Sequence, residues 1–304
     1  MLWAVTSYFN PLRYRRRLEN YREFRRRLSV PLLTVELGYD CRFELAEGDA
    51  EILVQLAGRD VLWQKERLLN IALGALPQAC DAVACVDCDV LFGREDWPED
   101  ARRLLERYPM AQAFSTVHHL SQDRSSRPDA RGSIEFSQPG IASLEDPAGR
   151  IDEGIWDRRG GAPSRGFAWL YRRELIAKLG LFDGCIIGGG DAALACAAYG
   201  RQDVVVRMHH MNPWQERYYR SWAQPFWESM RGRVGALDGD LFHLWHGRIE
   251  DRRPRQRHAG LRGFDFDPFR DIALDESRCW RWNSDKPGLH AYLREYFSAR
   301  REDG

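Results

Sequence analysis

Hydrophobic residues occur along this chain in short apolar runs that alternate with amphipathic segments. Runs rich in Leu, Val, Ile and Ala predict buried β-strands at residues 2–7, 32–37, 51–56, 81–92, 111–120, 167–171 and 203–208. Apolar positions at helical spacing predict helices at residues 12–28, 61–76, 98–110, 172–180, 188–200, 214–232 and 288–301. Alternation of strands and helices is typical of a doubly wound α/β sheet.

Two segments interrupt this alternation and indicate how the chain is organised. Residues 121–165 are rich in Ser, Asp, Gly, Pro and Arg with little periodicity, which predicts a long loop region placed for function. After residue 250 the pattern gives way to an Arg-rich stretch, aromatic clusters and one final helix. We therefore predict one α/β domain over residues 1–250 and an extension over residues 251–304 that packs on it.

Composition and charge narrow the class of protein. Hydrophobic residues make up 44% and charged residues 30%, and Lys+Arg equal Asp+Glu at 45 each. A balanced charge argues against a general polyanion binder, which normally has a basic excess. No apolar run approaches the ~20 residues that span a membrane. The seven cysteines are odd in number and form no paired framework, and the N-terminus lacks an export signal. These features predict a cytoplasmic protein with reduced thiols.

Two carboxylates, Asp87 and Asp89, follow the apolar run AVACV. Strand alternation places their side chains on the same side of the chain. Ligands of doubly wound sheets bind beyond the carboxyl ends of the strands. Two carboxylates there can hold a divalent cation, Mn²⁺ or Mg²⁺, that neutralises a diphosphate. The alternative is a pair of acids that caps the following turn.

Two further motifs carry candidate chemistry. His243 and His246, in HLWHG, are spaced so that both rings can face one metal ion, and neutral imidazole combines with carboxylates around Mn²⁺-like ions. By itself this motif is more often structural. Asp191 follows Gly188–Gly190 at the predicted start of a helix, where it is either a helix cap worth ~1 kcal/mol or a general base.

In this order the motifs resemble the GT-A fold glycosyltransferases, especially family-2-like enzymes, with a galactosyltransferase-like C-terminal block. The resemblance covers roughly residues 2–250 and is carried by VTSYFNP, WQKERLLNIALG, VDCDVLF, GFAWLYRRELIAKLGLFDGCIIGGGDAAL and HLWHG. It implies a single Rossmann-like domain with a doubly wound mixed sheet. It also implies a nucleotide-sugar donor, with UDP as the nucleotide by family habit.

The resemblance also implies roles for individual residues. Tyr8 would stack on the nucleotide base with Thr6 nearby, and Glu36 would contact the base or ribose where the family usually has Asp. The donor-binding residues would be Thr6, Tyr8, Glu36, Lys65, Arg67, Asp87 and Trp169. The metal ligands would be Asp87, Asp89, His243 and His246. Trp169 and Trp156 would line the sugar or acceptor pocket, although Trp169 is equally consistent with the core.

The predicted function is metal-dependent transfer of a hexosyl group from a UDP-sugar to an acceptor hydroxyl. Asp191 would act as the base in one inverting displacement, although the family usually has Trp-Gly-x-Glu-Asp there. The acceptor would be a glycan or a modified nucleic acid.

Two alternatives remain open. A sugar-phosphate nucleotidyltransferase is disfavoured because SYFNP, and not a Gly-rich basic loop, follows the first strand. A nucleic-acid-binding or nucleic-acid-modifying protein would use the eight arginines between residues 13 and 27, or a second cluster. That second cluster consists of Arg248, Arg252, Arg253, Arg255, Arg257 and Arg262.

Overall fold

The computed structural model describes residues 1–122, 133–152, 159 and 161–304. The strands in these ranges are β1 (Leu2–Phe9), β2 (Leu32–Tyr39), β3 (Ile52–Gly58), β4 (Ala82–Val86), β5 (Val90–Phe92), β6 (Met110–Gln112), β7 (Thr116–Leu120), β8 (Ile134–Pro139), β9 (Ala168–Arg172), β10 (Val234–Ala236), β11 (Asp240–His243), β12 (Ile272–Leu274) and β13 (Trp280–Trp282). The α-helices are α1 (Arg15–Arg27), α2 (Lys65–Ala75), α3 (Trp97–Arg107), α4 (Pro147–Arg150), α5 (Arg173–Leu179), α6 (Gly190–Ala198), α7 (Gln202–Met208), α8 (Pro213–Met230), α9 (Gln256–Arg262) and α10 (Pro287–Ala299).

A seven-stranded sheet with the order β10-β6-β9-β4-β1-β2-β3 forms the centre of the fold. Neighbouring strands are parallel except for β9, which runs antiparallel to both β4 and β6. Strands β3-β2-β1-β4 reproduce the order of one half of a doubly wound sheet. The α/β class with a mixed sheet is therefore confirmed.

Helices cover both faces of this sheet. Successive side chains of β1 point to opposite faces, so the strand contributes to an apolar core on each side. Val5 and Phe9 pack in the core that includes the buried residues of α2, α6 and α8. Ala4 and Tyr8 pack in the other core, against α1 and α3. Two separate apolar cores on one sheet are what the near-continuous hydrophobic strands require.

A smaller four-stranded sheet, ordered β5-β11-β7-β8, stands beside the first one. It corrects two predictions, because the apolar runs 81–92 and 111–120 are each divided between the two sheets. The chain changes sheet at residues 87–89 and again at residues 113–115. Both sheets bury apolar side chains, so hydrophobicity alone does not mark these changes.

The prediction of a strand at residues 203–208 is wrong, since this segment forms helix α7. Val204, Val205 and Met208 are buried while Asp203 and Arg207 are exposed. This periodicity lets one face of the helix pack against α6 and α8. Tertiary packing overrides the β-propensity of three consecutive valines here.

The region 121–165 contains strand β8 and the short helix α4 within its described part, so it is more regular than predicted. Residues 123–132, 153–158 and 160, and with them Trp156, lie outside the described residues. In the part of the chain that is described, no helix is long and apolar enough to cross a membrane.

Residues 300–302 of the C-terminal segment pack against the HLWHG motif. Gly247 has a φ of 86°, and a Cβ placed on it would lie 2.7 Å from the carbonyl oxygen of Arg300. Two reasons therefore favour glycine at this position. Its backbone is left-handed, and residues 300–302 approach it too closely for a side chain. The division into residues 1–250 and 251–304 stays a prediction.

We expect Gly247→Ala to lower the free energy of unfolding by about 1–3 kcal/mol, because alanine is strained at this φ and its methyl group meets backbone. Gly74→Ala is the matched control. Gly74 lies in α2 with open space around its Cα, so this change should stabilise the protein by up to about 1 kcal/mol. Urea unfolding of both variants measures the two effects. Equal stabilities would contradict the packing of residues 300–302 against Gly247.

Candidate active site and metal centre

A cleft with a volume of about 190 Å³ opens beyond the carboxyl ends of β1 and β4. The first sheet provides its floor with Ser7 and Phe9 of β1 and with Asp87, which follows β4. The second sheet contributes His243, and the C-terminal segment contributes Arg300. The cleft lies at the rim where the sequence predicts a ligand site, because ligands of doubly wound sheets bind there.

Asp89, His243 and His246 form a compact cluster in which one ligand atom from each lies within 4.8 Å of the others. The Nε2 atoms of the two imidazoles are 3.1 Å apart. Nε2 of His246 lies 3.0 Å from Oδ2 of Asp89, and Nε2 of His243 lies 4.0 Å from Oδ1. Oδ1 of Asp89 is buried and has no hydrogen-bond partner among the described residues. A buried, unsatisfied carboxylate oxygen beside two imidazoles fits a cation site.

The neighbours of the two histidines set the orientation of their rings. Nδ1 of His243 is 3.2 Å from Nδ1 of His119, and Nδ1 of His246 is 3.5 Å from Oε1 of Glu302. Each ring therefore presents Nε2 to Asp89, as metal-binding histidines do when a second group holds the other nitrogen. Burial lowers the pKa of His243 well below its ordinary value, against an opposite effect of Asp89. The ring is neutral and has a lone pair available to a metal.

Asp87 lies in the same cleft but outside this cluster, and its role as a metal ligand stays a prediction. Its Oδ1 is 2.6 Å from Nζ of Lys65, and the same nitrogen is 2.9 Å from Oδ1 of Asp191. Burial by itself would lower the pKa of Lys65, whereas Asp191 and Asp87 raise it well above its ordinary value. The charged ammonium thus joins the two carboxylates. The two acids at the rim have different partners, because the chain changes sheet between them.

Asp191 stands in the first turn of α6, which begins directly after Gly188 and Gly189, two glycines with positive φ. Its side chain is 37% exposed and lines the cleft. A Cβ placed on Gly166 would lie 2.8 Å from Oδ2, so a glycine at that position admits the carboxylate. Lys65 donates a hydrogen bond to Oδ1, so Oδ2 is the oxygen that can accept a proton.

The structure places Thr6 and Tyr8 away from the cleft and corrects their predicted donor contacts. Oγ1 of Thr6 donates a 2.7 Å hydrogen bond to the carbonyl of Val86 in the core. The ring of Tyr8 packs edge-on against Tyr21, and its hydroxyl bonds a carboxylate on the far side of the sheet from the cleft. The opposite face of β1 lines the cleft, with Ser7 and Phe9. The side chains of β1 alternate between the two faces of the sheet, and the face that meets the cleft is the one opposite to Thr6 and Tyr8.

Three other predicted donor residues do not line the cleft. Glu36 is buried and accepts bonds from the backbone N–H of residue 44 at 2.6 Å and from the amide of residue 55 at 2.8 Å. Arg67 pairs with Asp183 at 3.0 Å. Trp169 is 3% exposed and donates its indole N–H to the carbonyl of Arg165. It is a core residue, the alternative noted for it. Lys65 and Asp87 are the predicted donor residues that line the cleft.

Several cleft residues were not predicted from the sequence. Arg17, Arg300 and Glu302 form a buried group in which the single carboxylate meets both guanidinium groups. Arg17 and Arg300 line the cleft. Nothing in the local sequence marks these residues, because they lie at opposite ends of the chain. His119 had a detectable pattern, since His118-His119 ends an apolar strand that pairs with β11 in register with His243.

The Arg-rich helix α1 mostly faces solvent and is largely neutralised. Arg26 and Arg27 pair with Glu23 at 2.7 Å each, and Arg25 pairs with Glu51 at 2.6 Å. These pairs favour a solvated helix face over a surface that follows nucleic-acid phosphates. Of the second Arg cluster, Arg252 and Arg257 line the cleft.

We expect Glu302→Gln to lower the free energy of unfolding by about 3 kcal/mol or more, because it leaves two buried guanidinium groups without a carboxylate. Glu295→Gln is the matched control. Glu295 pairs with Arg253 and is 65% exposed, so its loss should change stability by about 0–1 kcal/mol. Urea unfolding compares both variants with the parent. A Glu302→Gln protein as stable as the control would contradict the buried charge group.

Comparison with known proteins gives matches in structure only. No protein-family model and no curated protein sequence matches the chain. The structure is similar to glucosyl-3-phosphoglycerate synthase from Mycobacterium tuberculosis in complex with Mn²⁺ and UDP-glucose, at 10% identity, 93% coverage of this chain, 86% of that chain and a TM-score of 0.45. A mannosyltransferase from Pyrobaculum calidifontis in complex with GDP-Man and Mn²⁺ matches at 14% identity, 98% and 73% coverage and a TM-score of 0.40.

The catalytic domain of Drosophila β1,4-galactosyltransferase 7, in complex with xylobiose, matches at 12% identity, 96% and 98% coverage and a TM-score of 0.38. These proteins are the class of enzyme that the sequence resembles. Because the identities are below 25% and the TM-scores below 0.5, these similarities establish nothing about the ligands of this chain. Its ligands have to be inferred from its own side chains.

Proposed function

We propose that this chain is a glycosyltransferase that moves a sugar from a nucleotide-diphosphate sugar to an acceptor hydroxyl with the help of a divalent cation. One observation carries the proposal. The Asp89–His243–His246 cluster and the Lys65–Asp191 pair line one cleft at the carboxyl rim of the sheet. A candidate cation site and a candidate base in the same cleft are what this transfer requires.

The donor atoms of the cluster favour Mn²⁺ over Mg²⁺. Two imidazole nitrogens and one carboxylate suit a first-row transition ion, whereas Mg²⁺ prefers oxygen ligands in octahedral geometry. Asp89, His243 and His246 would hold the ion, with His119 and Glu302 orienting the rings. When bound, the cation would supply Lewis-acid stabilisation of the leaving nucleoside diphosphate.

Cationic and aromatic side chains near this cluster fit the rest of the donor. Arg17, Lys65 and Arg300 line the cleft and can neutralise phosphate oxygens. Phe9 ends β1 and Trp63 precedes α2, and their rings are 5.3 Å apart. The guanidinium of Arg300 covers the Trp63 ring at 5.1 Å. We assign these rings to the nucleoside in place of Tyr8. UDP as the nucleotide rests on the sequence resemblance.

Asp191 is the proposed general base. Lys65 holds Oδ1 and so fixes the carboxylate at the start of α6, while Oδ2 takes the proton of the acceptor hydroxyl. Lys65 also separates the negative charges of Asp87 and Asp191. A base opposite a departing diphosphate supports a single displacement with inversion of the anomeric centre.

We expect Asp89→Asn to weaken Mn²⁺ binding by about 10–100-fold, because it removes the charged ligand of the cluster. Titration calorimetry with MnCl₂ on the nucleotide-free protein measures this affinity. Asp240→Asn is the control, since Asp240 is an exposed acid on β11, the strand that carries His243. EDTA should abolish release of UDP from a UDP-sugar, and Mn²⁺ should restore it better than Mg²⁺. Wild-type Mn²⁺ affinity in Asp89→Asn would refute the assignment.

We expect Asp191→Asn to lower kcat for sugar transfer by about 10²-fold or more with little change in donor KM, because the base acts only in the transition state. Release of nucleoside diphosphate from a nucleotide sugar measures the rate and also separates this activity from nucleotidyl transfer, which releases pyrophosphate. Asp203→Asn is the control, since Asp203 is 75% exposed and pairs with Arg220 away from the cleft. Near-normal transfer by Asp191→Asn would exclude this carboxylate as the base.

A further inference from the structure

One part of the cleft contains two guanidinium groups whose hydrogen-bond acceptors are all neutral. Arg165 donates from Nη2 to the carbonyl of Ile151 at 2.7 Å, and its Nε is buried without a hydrogen-bond partner among the described residues. Arg257 donates to the hydroxyl of Tyr296 at 2.8 Å and, from Nε, to the ring of His258 at 3.3 Å. Both line the cleft. A half-buried guanidinium is costly unless an anion compensates it.

Three other cations that line the cleft, Lys65, Arg17 and Arg300, have carboxylates as partners. Lys65 faces Asp87 and Asp191, and Arg17 and Arg300 both face Glu302. In the described part of the chain, Arg165 and Arg257 have no such ion pair. Among the described residues, Lys65, Arg17 and Arg300 are thus paired with carboxylates, whereas Arg165 and Arg257 are not.

Both arginines lie close to the backbone around Asp191. Arg165 precedes Gly166, whose backbone lies against the Asp191 carboxylate. On the other side, Nη1 of Arg257 would be 3.5 Å from a Cβ placed on Gly188, in the turn that leads into Asp191. His209 lines the cleft together with both arginines, and its ring would lie 2.6 Å from a Cβ placed on Gly189, in the same turn. Arg17 instead pairs with Glu302 at 3.1 Å.

We propose that Arg165 and Arg257 form a subsite for an oxyanion, a phosphate or carboxylate group that the acceptor carries. The proposal rests on the proposed function, in which Asp191 marks the position of the acceptor hydroxyl. A planar guanidinium binds two oxygens of such a group at once. An acceptor without the charge leaves both guanidinium groups uncompensated in the cleft, so the site discriminates against neutral acceptors. The substrate class is therefore an anionic hydroxy compound.

The test uses inorganic phosphate as the probe on protein saturated with UDP and Mn²⁺, so that the donor phosphate positions are occupied. Titration calorimetry should show phosphate binding to the parent protein, and Arg165→Gln and Arg257→Gln should each weaken it about tenfold or more, the loss of one charge-assisted pair. Arg103→Gln removes the same charge from α3, where the exposed Arg103 pairs with Asp100 away from the cleft, and should leave phosphate binding unchanged. UDP affinity, measured on each variant, reports whether the fold and donor site are intact.

Acetate in place of phosphate distinguishes a carboxylate from a phosphate ester as the group recognised. Rates of sugar transfer to glucose, glucuronate and glucose 6-phosphate then test whether the enzyme prefers acceptors with a carboxylate or a phosphate over a neutral one. Arginine-dependent binding of either anion supports the subsite. Absence of binding for both anions, or binding unaffected by Arg165→Gln and Arg257→Gln, overturns it. Failure of UDP and Mn²⁺ to bind would refute the proposed function instead, and phosphate titration of the nucleotide-free protein would still show whether Arg165 and Arg257 hold an anion.

Discussion

Two half-buried carboxylates, separated by one residue at the rim of a sheet, are the constraint around which the cleft is arranged. Ionised groups in such a place are costly unless opposite charges or hydrogen bonds compensate them. Asp87 is compensated by Lys65, which also holds Asp191. Asp89 faces the imidazoles of His243 and His246. Each compensating group is also a group that the proposed chemistry needs.

The same constraint explains why distant segments meet at this cleft. The two imidazoles need their own orienting partners, and these come from His119 on β7 and Glu302 near the C-terminus. Glu302 in turn brings Arg17 and Arg300 together, one from α1 and one from the end of α10. A buried acid that holds two arginines and touches an imidazole couples the C-terminal segment to the metal cluster. The same charged side chains therefore hold the C-terminal segment in place and orient the groups of the proposed metal site.

Prediction from the sequence succeeded where a pattern is local. The alternation of apolar strands with amphipathic helices indicated the α/β class, and acids after an apolar strand indicated the rim of the cleft. HLWHG was correctly grouped with Asp89, although 154 positions separate Asp89 from His243. Errors occurred where local patterns are ambiguous. Three valines in α7 resemble a strand, and either face of β1 can be the one that meets a ligand.

The sequence by itself determined which chemical groups are present and which short segments bury apolar surface, because both depend on neighbouring residues. The tertiary structure decided which acid pairs with which base. It separated the roles of Asp87 and Asp89 by moving the chain to a second sheet between them. It also brought Glu302 to Arg17 across 285 positions, while Arg165 has no carboxylate in hydrogen-bond contact among the described residues. These outcomes depend on contacts between residues far apart in the chain, and hydrophobic periodicity carries no information about such contacts.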